Sequence, residues 1–346
     1  MTAEATRMLT NDSPDFSFNQ LRELIFGQLV SQALQAVARL GVAERLKAGP
    51  KTAQELATAV RARADILARV LRSLAAYGVF VERGDGRFEL SPVGEMLCPG
   101  PRTLHSFLLM FSSPWNQEPF SKLYGLLTGG ASAFEASMGA PFFEYLKQNP
   151  EADDLFNQVM TDFLGRIHKA AADAYDFSGA KTIVDVGGGH GSLMVEILKR
   201  NPKASGIIFD RPDLRKGAEE TIERFALTNR CRFIGGSFFE SVPNGGDVYL
   251  LSRVLHDWND RDVQRILSHC REAMADGRLL LVEQVMLPDN QRSFTKLTDL
   301  WMMIMFNEGR ERTESEYHLL LNSASFRLNR IVPTAVTDCV IEALPA

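Results

Sequence analysis

Two stretches of this 346-residue chain hold residue types that could do chemistry. The first is Asp185-Val186-Gly187-Gly188-Gly189-His190-Gly191, with Asp210 standing 25 positions after Asp185. Glycines let the backbone turn sharply and approach a ligand without obstruction by side chains. An acid at the end of the next strand can accept hydrogen bonds from both ribose hydroxyls of an adenosine. The dinucleotide fingerprint G-x-G-x-x-G fails at its third glycine, where Ser192 stands, and no G-x-x-x-x-G-K-[ST] phosphate loop occurs. The second stretch is Leu251-Ser252-Arg253-Val254-Leu255-His256-Asp257-Trp258-Asn259-Asp260. Of the six histidines, His256 alone stands at a predicted strand end beside acids and an aromatic ring. Such ends are where ligands collect in open α/β sheets. His105, His168, His269 and His318 are expected in structural or surface roles, and His190 as a filler of the glycine loop.

An alternation of strands and helices must carry both stretches. Strands are predicted at Thr182–Val186, Ala204–Phe209, Arg232–Ile234, Val248–Ser252, Leu279–Gln284, Arg330–Val332 and near Asp338–Glu342. Helices are predicted at Ser192–Arg200, 213–228, 260–275 and 313–324. This grammar implies a doubly wound α/β sheet. Ahead of it, residues 102–175 read as mostly helical, with Phe156–Ala174 a long helix.

The N-terminal region has a different pattern. Apolar residues recur at helical spacing from Phe18 to Leu40, and Gly41 suits a helix end. Thr52 and Glu55 form a capping-box signature for a helix through Val60, and Asp65 is expected to cap the next helix. Val79–Glu82 and Arg87–Leu90 across Gly84-Asp85-Gly86 read as a hairpin. Two helices followed by a hairpin are the layout of a winged helix. Residues 39–72 contain eight Lys/Arg against three Asp/Glu, so DNA binding must be weighed. A recognition helix needs a polar face that reaches bases, whereas residues 65–77 are mostly aliphatic apart from Arg69 and Arg72. Packing or dimerisation is the preferred reading. The expected division is a mobile tail at 1–15, a winged-helix-like domain at 16–101, a helical linker or substrate lid at 102–175, and a catalytic domain at 176–346.

Composition narrows the class. With 38 Lys+Arg against 43 Asp+Glu, the net charge of −5 gives no chain-wide attraction to nucleic acid or anionic membrane. No apolar run approaches the ~20 residues of a membrane helix. No secretory signal is evident in the opening residues. Four scattered cysteines, at 98, 231, 270 and 339, suggest reduced thiols in a cytoplasmic protein.

The glycine loop with Asp210 resembles motif one of class I S-adenosylmethionine (SAM) methyltransferases. The whole pattern resembles the plant caffeic acid and acetylserotonin type of O-methyltransferase and its bacterial secondary-metabolite relatives. Phe156-Asn157-Gln158-Val159-Met160, Phe209-Asp210-Arg211-Pro212, Gly236-Ser237-Phe238-Phe239, Leu255-His256-Asp257-Trp258, Val282-Glu283-Gln284 and Gly309-Arg310-Glu311-Arg312-Thr313 carry the likeness with Asp185–Gly191. The fold it implies is α/β, a Rossmann-like doubly wound SAM-methyltransferase domain with an N-terminal, mostly helical winged-helix dimerisation domain.

By that resemblance, His256 is the base that takes a phenolic proton, and Glu283 and Glu311 orient its imidazole. Asp185, Gly187, Gly189, Asp210, Arg211, Ser237, Phe238, Ser252, Arg253 and Trp258 are the implied cofactor residues. Ser237 replaces a usual aspartate near the adenine, and Ser252 a lysine of plant members. Met110, Phe111, Met160, Phe163, Asp257, Met303, Phe306 and Asn307 are the implied acceptor residues, with Phe142 a further wall candidate. The expected cofactor is SAM, leaving as S-adenosylhomocysteine, with no metal. The expected partners are an aromatic small molecule and a second copy of the chain, without nucleic acid or membrane. Transfer to carbon or nitrogen on the same scaffold, and a SAM-sensing winged-helix regulator, are the alternatives; a NAD-dependent oxidoreductase ranks below them.

Overall fold

The computed structural model describes residues 14–100, 103–130, 132–288, 290–306 and 308–346, with side chains from Ser17 onward. The expected tail at 1–15 falls mostly outside them. The chain forms two compact units. One comprises the described residues through Gln117 together with Asp154–Asp162, and the other Glu118–Asp153 with Phe163–Ala346.

In the first unit, the helix Pro14–Arg39 is followed by the short helix Val42–Leu46, Gly41 at φ 66° making the bend between them. Strand β1 (Lys51–Thr52) leads into the helix Ala53–Val60 through a complete capping box, Thr52 and Glu55 satisfying each other's backbone N–H groups. The next helix, Ala64–Ala76, has Arg63 rather than Asp65 at its N-cap position, without a side-chain cap. Asp65 lies inside the first turn and pairs with Arg63 at 2.8 Å, where a carboxylate also suits the positive end of the helix. Strands β2 (Phe80–Glu82) and β3 (Arg87–Leu90) form the hairpin, and β1 joins its far side to give the antiparallel order β1-β3-β2. Leu56, Leu71, Leu74, Phe80 and Phe88 close a core beneath this wing. Ser106 Oγ donates to Asp162 at 2.7 Å, tying the helix His105–Phe111 to the chain's return through this unit.

The second unit is built on one sheet. Its parallel strands are β4 (Thr182–Val186), β5 (Ser205–Asp210), β6 (Cys231–Gly235), β7 (Val248–Ser252) and β8 (Arg278–Met286). A two-residue β9 (Arg312–Thr313) pairs with the end of β8, and β10 (Phe326–Pro333) and β11 (Asp338–Pro345) close the edge antiparallel. The order is β10-β11-β8-β7-β4-β5-β6. Central strands such as Val248–Leu251 read as unbroken apolar runs because helices bury both faces of the sheet. One core holds Ile183, Ile208 and Leu250, the other Val184, Phe209 and Leu251. The sheet runs outward in opposite directions from β4, to β5 on one side and β7 on the other, so a crevice opens at their carboxyl ends. Gly187 follows β4 and Arg253 follows β7 there, which is where the two reactive stretches meet.

Candidate active site

The glycine loop is the floor of the crevice. Gly187, Gly189 and Gly191 have φ of 74°, 56° and 83°, the region that residues with a Cβ rarely occupy. A Cβ on Gly187 would lie 2.7 Å from Val254 Cγ2 and 3.7 Å from the Phe238 ring, whereas Gly189 faces open space. Asp185, 1% exposed at the end of β4, has both carboxylate oxygens without a hydrogen-bond partner among the described residues. Burial, then the nearby Asp210, pushes its carboxyl up to about 7. Asp210 accepts the N–H of Gly189 at 2.8 Å and that of Arg211 at 2.7 Å on separate oxygens, leaving each oxygen a free lone pair. The Ser252 hydroxyl, at the end of β7, is also buried without a partner. A cradle that excludes Cβ atoms, an acid with free lone pairs at the end of β5 and unpartnered buried oxygens fit an adenosine with a cationic amino-acid tail.

Other expected cofactor residues divide. Phe238 packs edge-on to Phe239 and Trp258, and Ser237 Oγ accepts the Phe239 N–H at 3.3 Å. The Arg211 side chain turns to Asp213, so its contribution to the cradle is its backbone N–H. Arg253 is placed differently. Its guanidinium is 8% exposed and sits among Glu311, Asp338 and Glu283, not on the glycine loop, because burying a charge demands opposite charges close by.

His256 lies in the tight turn Leu255–Asp257 just beyond β7. Its Nδ1 pairs with Glu311 Oε1 at 3.2 Å, and its Nε2 lies 3.4 Å from Asp257 Oδ1. Burial and Arg253 push its pKa down, but Asp257, the hydrogen bond with Glu311 and Glu283 prevail, so the pKa stands above the ordinary histidine value. Burial works to raise the Glu311 pKa, yet Arg253 and His256 hold it at about 2. Glu283 makes its hydrogen bonds elsewhere. It accepts the backbone N–H groups of Val254 at 3.0 Å and Leu255 at 2.9 Å instead of bonding the imidazole. It therefore builds the turn that presents His256 and reaches the ring only through its field. Arg312, wholly buried, donates to Leu255 O and Trp258 O and braces the same turn from the other side.

Two acids escaped the sequence reading. Asp299 Oδ1 accepts the Glu311 N–H at 2.8 Å, and Asp338 sits 3.5 Å from Arg253. Neither has a local signature, since both act through elements distant in sequence. Among the expected acceptor residues, Phe306 is half-buried and stacks obliquely on Phe142 at 4.7 Å. Gly309 packs between Phe306 Cβ and the His256 carbonyl, which draws the helix Phe294–Phe306 to the His256 turn. Met303 is half-buried on that helix, and Phe163 packs against the core around Ile183. Met110, Phe111 and Met160 belong to the first unit. Asn307 lies outside the described residues.

Fold and site together define a class I methyltransferase: a crevice fitted to an adenosyl sulfonium beside an acid-supported histidine. Residues 22–100 match the O-methyltransferase dimerisation domain and residues 120–327 the O-methyltransferase domain. The chain is 38% identical over 327 residues to the phenazine O-methyltransferase PhzM of Lysobacter antibioticus, covering 94% of this chain and 95% of that protein. It is 36% identical over 316 residues to the mitomycin biosynthesis 6-O-methyltransferase of Streptomyces lavendulae, covering 90% of each. Its structure superposes with a TM-score of 0.76 on NcsB1, an O-methyltransferase from neocarzinostatin biosynthesis in complex with SAM and 2-hydroxy-5-methyl naphthoic acid. That pair shares 30% identity, with 91% and 96% of the two chains covered. The chain belongs to this O-methyltransferase family and is a SAM-dependent enzyme of it.

Proposed function

We propose that this enzyme methylates a hydroxyl on an aromatic small molecule, with His256 as general base. The observation that carries the reading is the asymmetry of the imidazole. Nδ1 is held by the ionised Glu311, so in the neutral ring the proton resides there and Nε2 offers its lone pair. A phenol of pKa near ~10 is mostly protonated at neutral pH and needs such an acceptor. Nε2 takes the hydroxyl proton as the oxygen becomes nucleophilic; Glu311 and Asp257 then stabilise the imidazolium. When bound, SAM supplies an already activated methyl group. The glycine loop, Asp185, Asp210, Phe238 and Ser252 are the residues to hold it. Asp257 lies beside Nε2 and is the side chain best placed to receive the acceptor hydroxyl. Phe142, Met303 and Phe306 supply apolar and thioether surface suited to a flat ring.

No metal is needed in this scheme. His256, Glu283 and Glu311 are close enough to share an ion, but the Arg253 guanidinium already lies against both carboxylates, 3.7 Å from Glu283 and 2.9 Å from Glu311. The protein is read as a homodimer, since the helix Pro14–Arg39 leaves Phe18, Leu21, Leu24, Ile25, Phe26 and Leu29 each more than half exposed. No nucleic-acid role is assigned, because Arg72 is paired with Glu82 and Arg63 with Asp65. No helix among the described residues is long and apolar enough to cross a membrane. The four cysteines are unpaired, in keeping with a cytoplasmic location.

Incubation with SAM and a panel of phenols, hydroxynaphthoates and hydroxyphenazines tests the reading. An O-methyl product formed one-for-one with S-adenosylhomocysteine is expected. Methylation confined to ring nitrogen or carbon would replace it with one of the alternative transfers.

A further inference from the structure

We propose that Arg253 is a positioning residue for the base: it holds Glu311 against the imidazole of His256 and keeps Nε2 able to accept a proton. The inference rests on the reading of His256 as the base and adds a residue that the reaction scheme does not itself require.

The geometry is specific. Arg253 Nη2 donates to Glu311 Oε1 at 2.9 Å and Nη1 to Glu311 Oε2 at 3.4 Å, a two-pronged grip that fixes the plane of the carboxylate. The same Oε1 pairs with His256 Nδ1 at 3.2 Å, so one oxygen is shared by guanidinium and imidazole. Nη1 also lies 3.5 Å from Asp338 Oδ1 and 3.7 Å from Glu283 Oε2. The backbone of Arg253 occupies the left-handed region at φ 54°, while its N–H donates to Val282 O at 3.0 Å. An arginine held there is strained, and its side chain turns inward under the His256 turn.

Charge explains what the grip does. The charged and titratable groups that bear on His256 or its partners are Asp257 beside Nε2, Glu311 at Nδ1, Glu283 behind the turn, Asp338 from β11, Arg253 itself, Arg312 bonded to the turn, and Asp299, Arg310 and Tyr317 around Glu311. Without Arg253, His256 would face Asp257, Glu311, Glu283 and Asp338 with the guanidinium nearest Glu311 removed, and would hold its proton more tightly. Arg253 opposes that pull while preserving the carboxylate that orients the ring. Lysine has the charge but not the fork.

The test is nitrogen-15 NMR titration of the His256 imidazole in the S-adenosylhomocysteine-saturated enzyme, alongside steady-state kinetics. Arg253→Gln is expected to raise the His256 midpoint by about one pH unit, and Asp338→Asn, which removes a negative neighbour of Arg253, to lower it. Arg253→Lys is expected to restore the midpoint but not the full kcat, with the KM for SAM within about twofold of the parent in every variant. Should Arg253→Gln not fold, Asp338→Asn and Arg253→Lys carry the test alone. An unmoved midpoint in Arg253→Gln, or parental kcat in Arg253→Lys, would overturn the proposal and leave Arg253 a structural ion-pair partner. Full turnover by His256→Asn would instead overturn the reading of the base, an outcome the titration distinguishes.

Discussion

At the scale of single residues, the site turns on one imidazole held between carboxylates. In the proposed reaction its neutral form is the working form, and its pKa stands above the ordinary value of ~6.5. The sign follows directly: lowering the pH through that raised value protonates Nε2 and removes the base. The acid limb of kcat/KM is therefore expected to have its midpoint above 6.5, and a midpoint below it would show that the carboxylates do not govern the ring. Glu311→Gln keeps the shape of the Nδ1 partner but loses its charge. It is expected to lower kcat by about 10² and to move that limb to lower pH, as measured on one acceptor across the pH range.

At the scale of elements, the site is the meeting of two strand ends. The glycine loop after β4 was legible because glycine types and spacing encode backbone conformation locally. The strand ends themselves were legible from unbroken apolar runs, although β8 extends two residues further, to pair with a β9 that leaves no pattern of its own. The partners of Arg253 were not legible. They come from β8, the residue before β9, and β11, and no local rule says which carboxylate a buried guanidinium will meet. For the same reason the bonds of Glu283 to the turn beneath were not legible. Gly187→Ala tests the loop. A Cβ there is strained by the positive φ and would lie 2.7 Å from Val254 Cγ2. Titration calorimetry is expected to show SAM affinity reduced more than about tenfold with the melting temperature little changed; parental affinity would mean the loop does not cradle the cofactor.

At the scale of the whole molecule, the chain pairs a winged-helix unit, which buries its own core, with a doubly wound catalytic unit. The broad layout was legible, down to the hairpin bounds of β3 and the capping box at Thr52. The way the chain returns through the first unit at Asp154–Asp162 was not, because contact between distant segments leaves no period in sequence. The exposed apolar stripe of the helix Pro14–Arg39 makes self-association testable. Paired Leu24→Asp and Ile25→Asp substitutions are expected to convert a dimer to a monomer in light scattering, and a monomeric parent would contradict the assignment. The most direct trial of the enzyme's chemistry is a single-turnover measurement with SAM and an acceptor from the panel, comparing the parent with His256→Asn at matched SAM occupancy. Methyl transfer slowed by roughly 10²–10⁴ with SAM affinity intact is the predicted result; equal rates would show that alignment alone drives the reaction and that His256 is not its base.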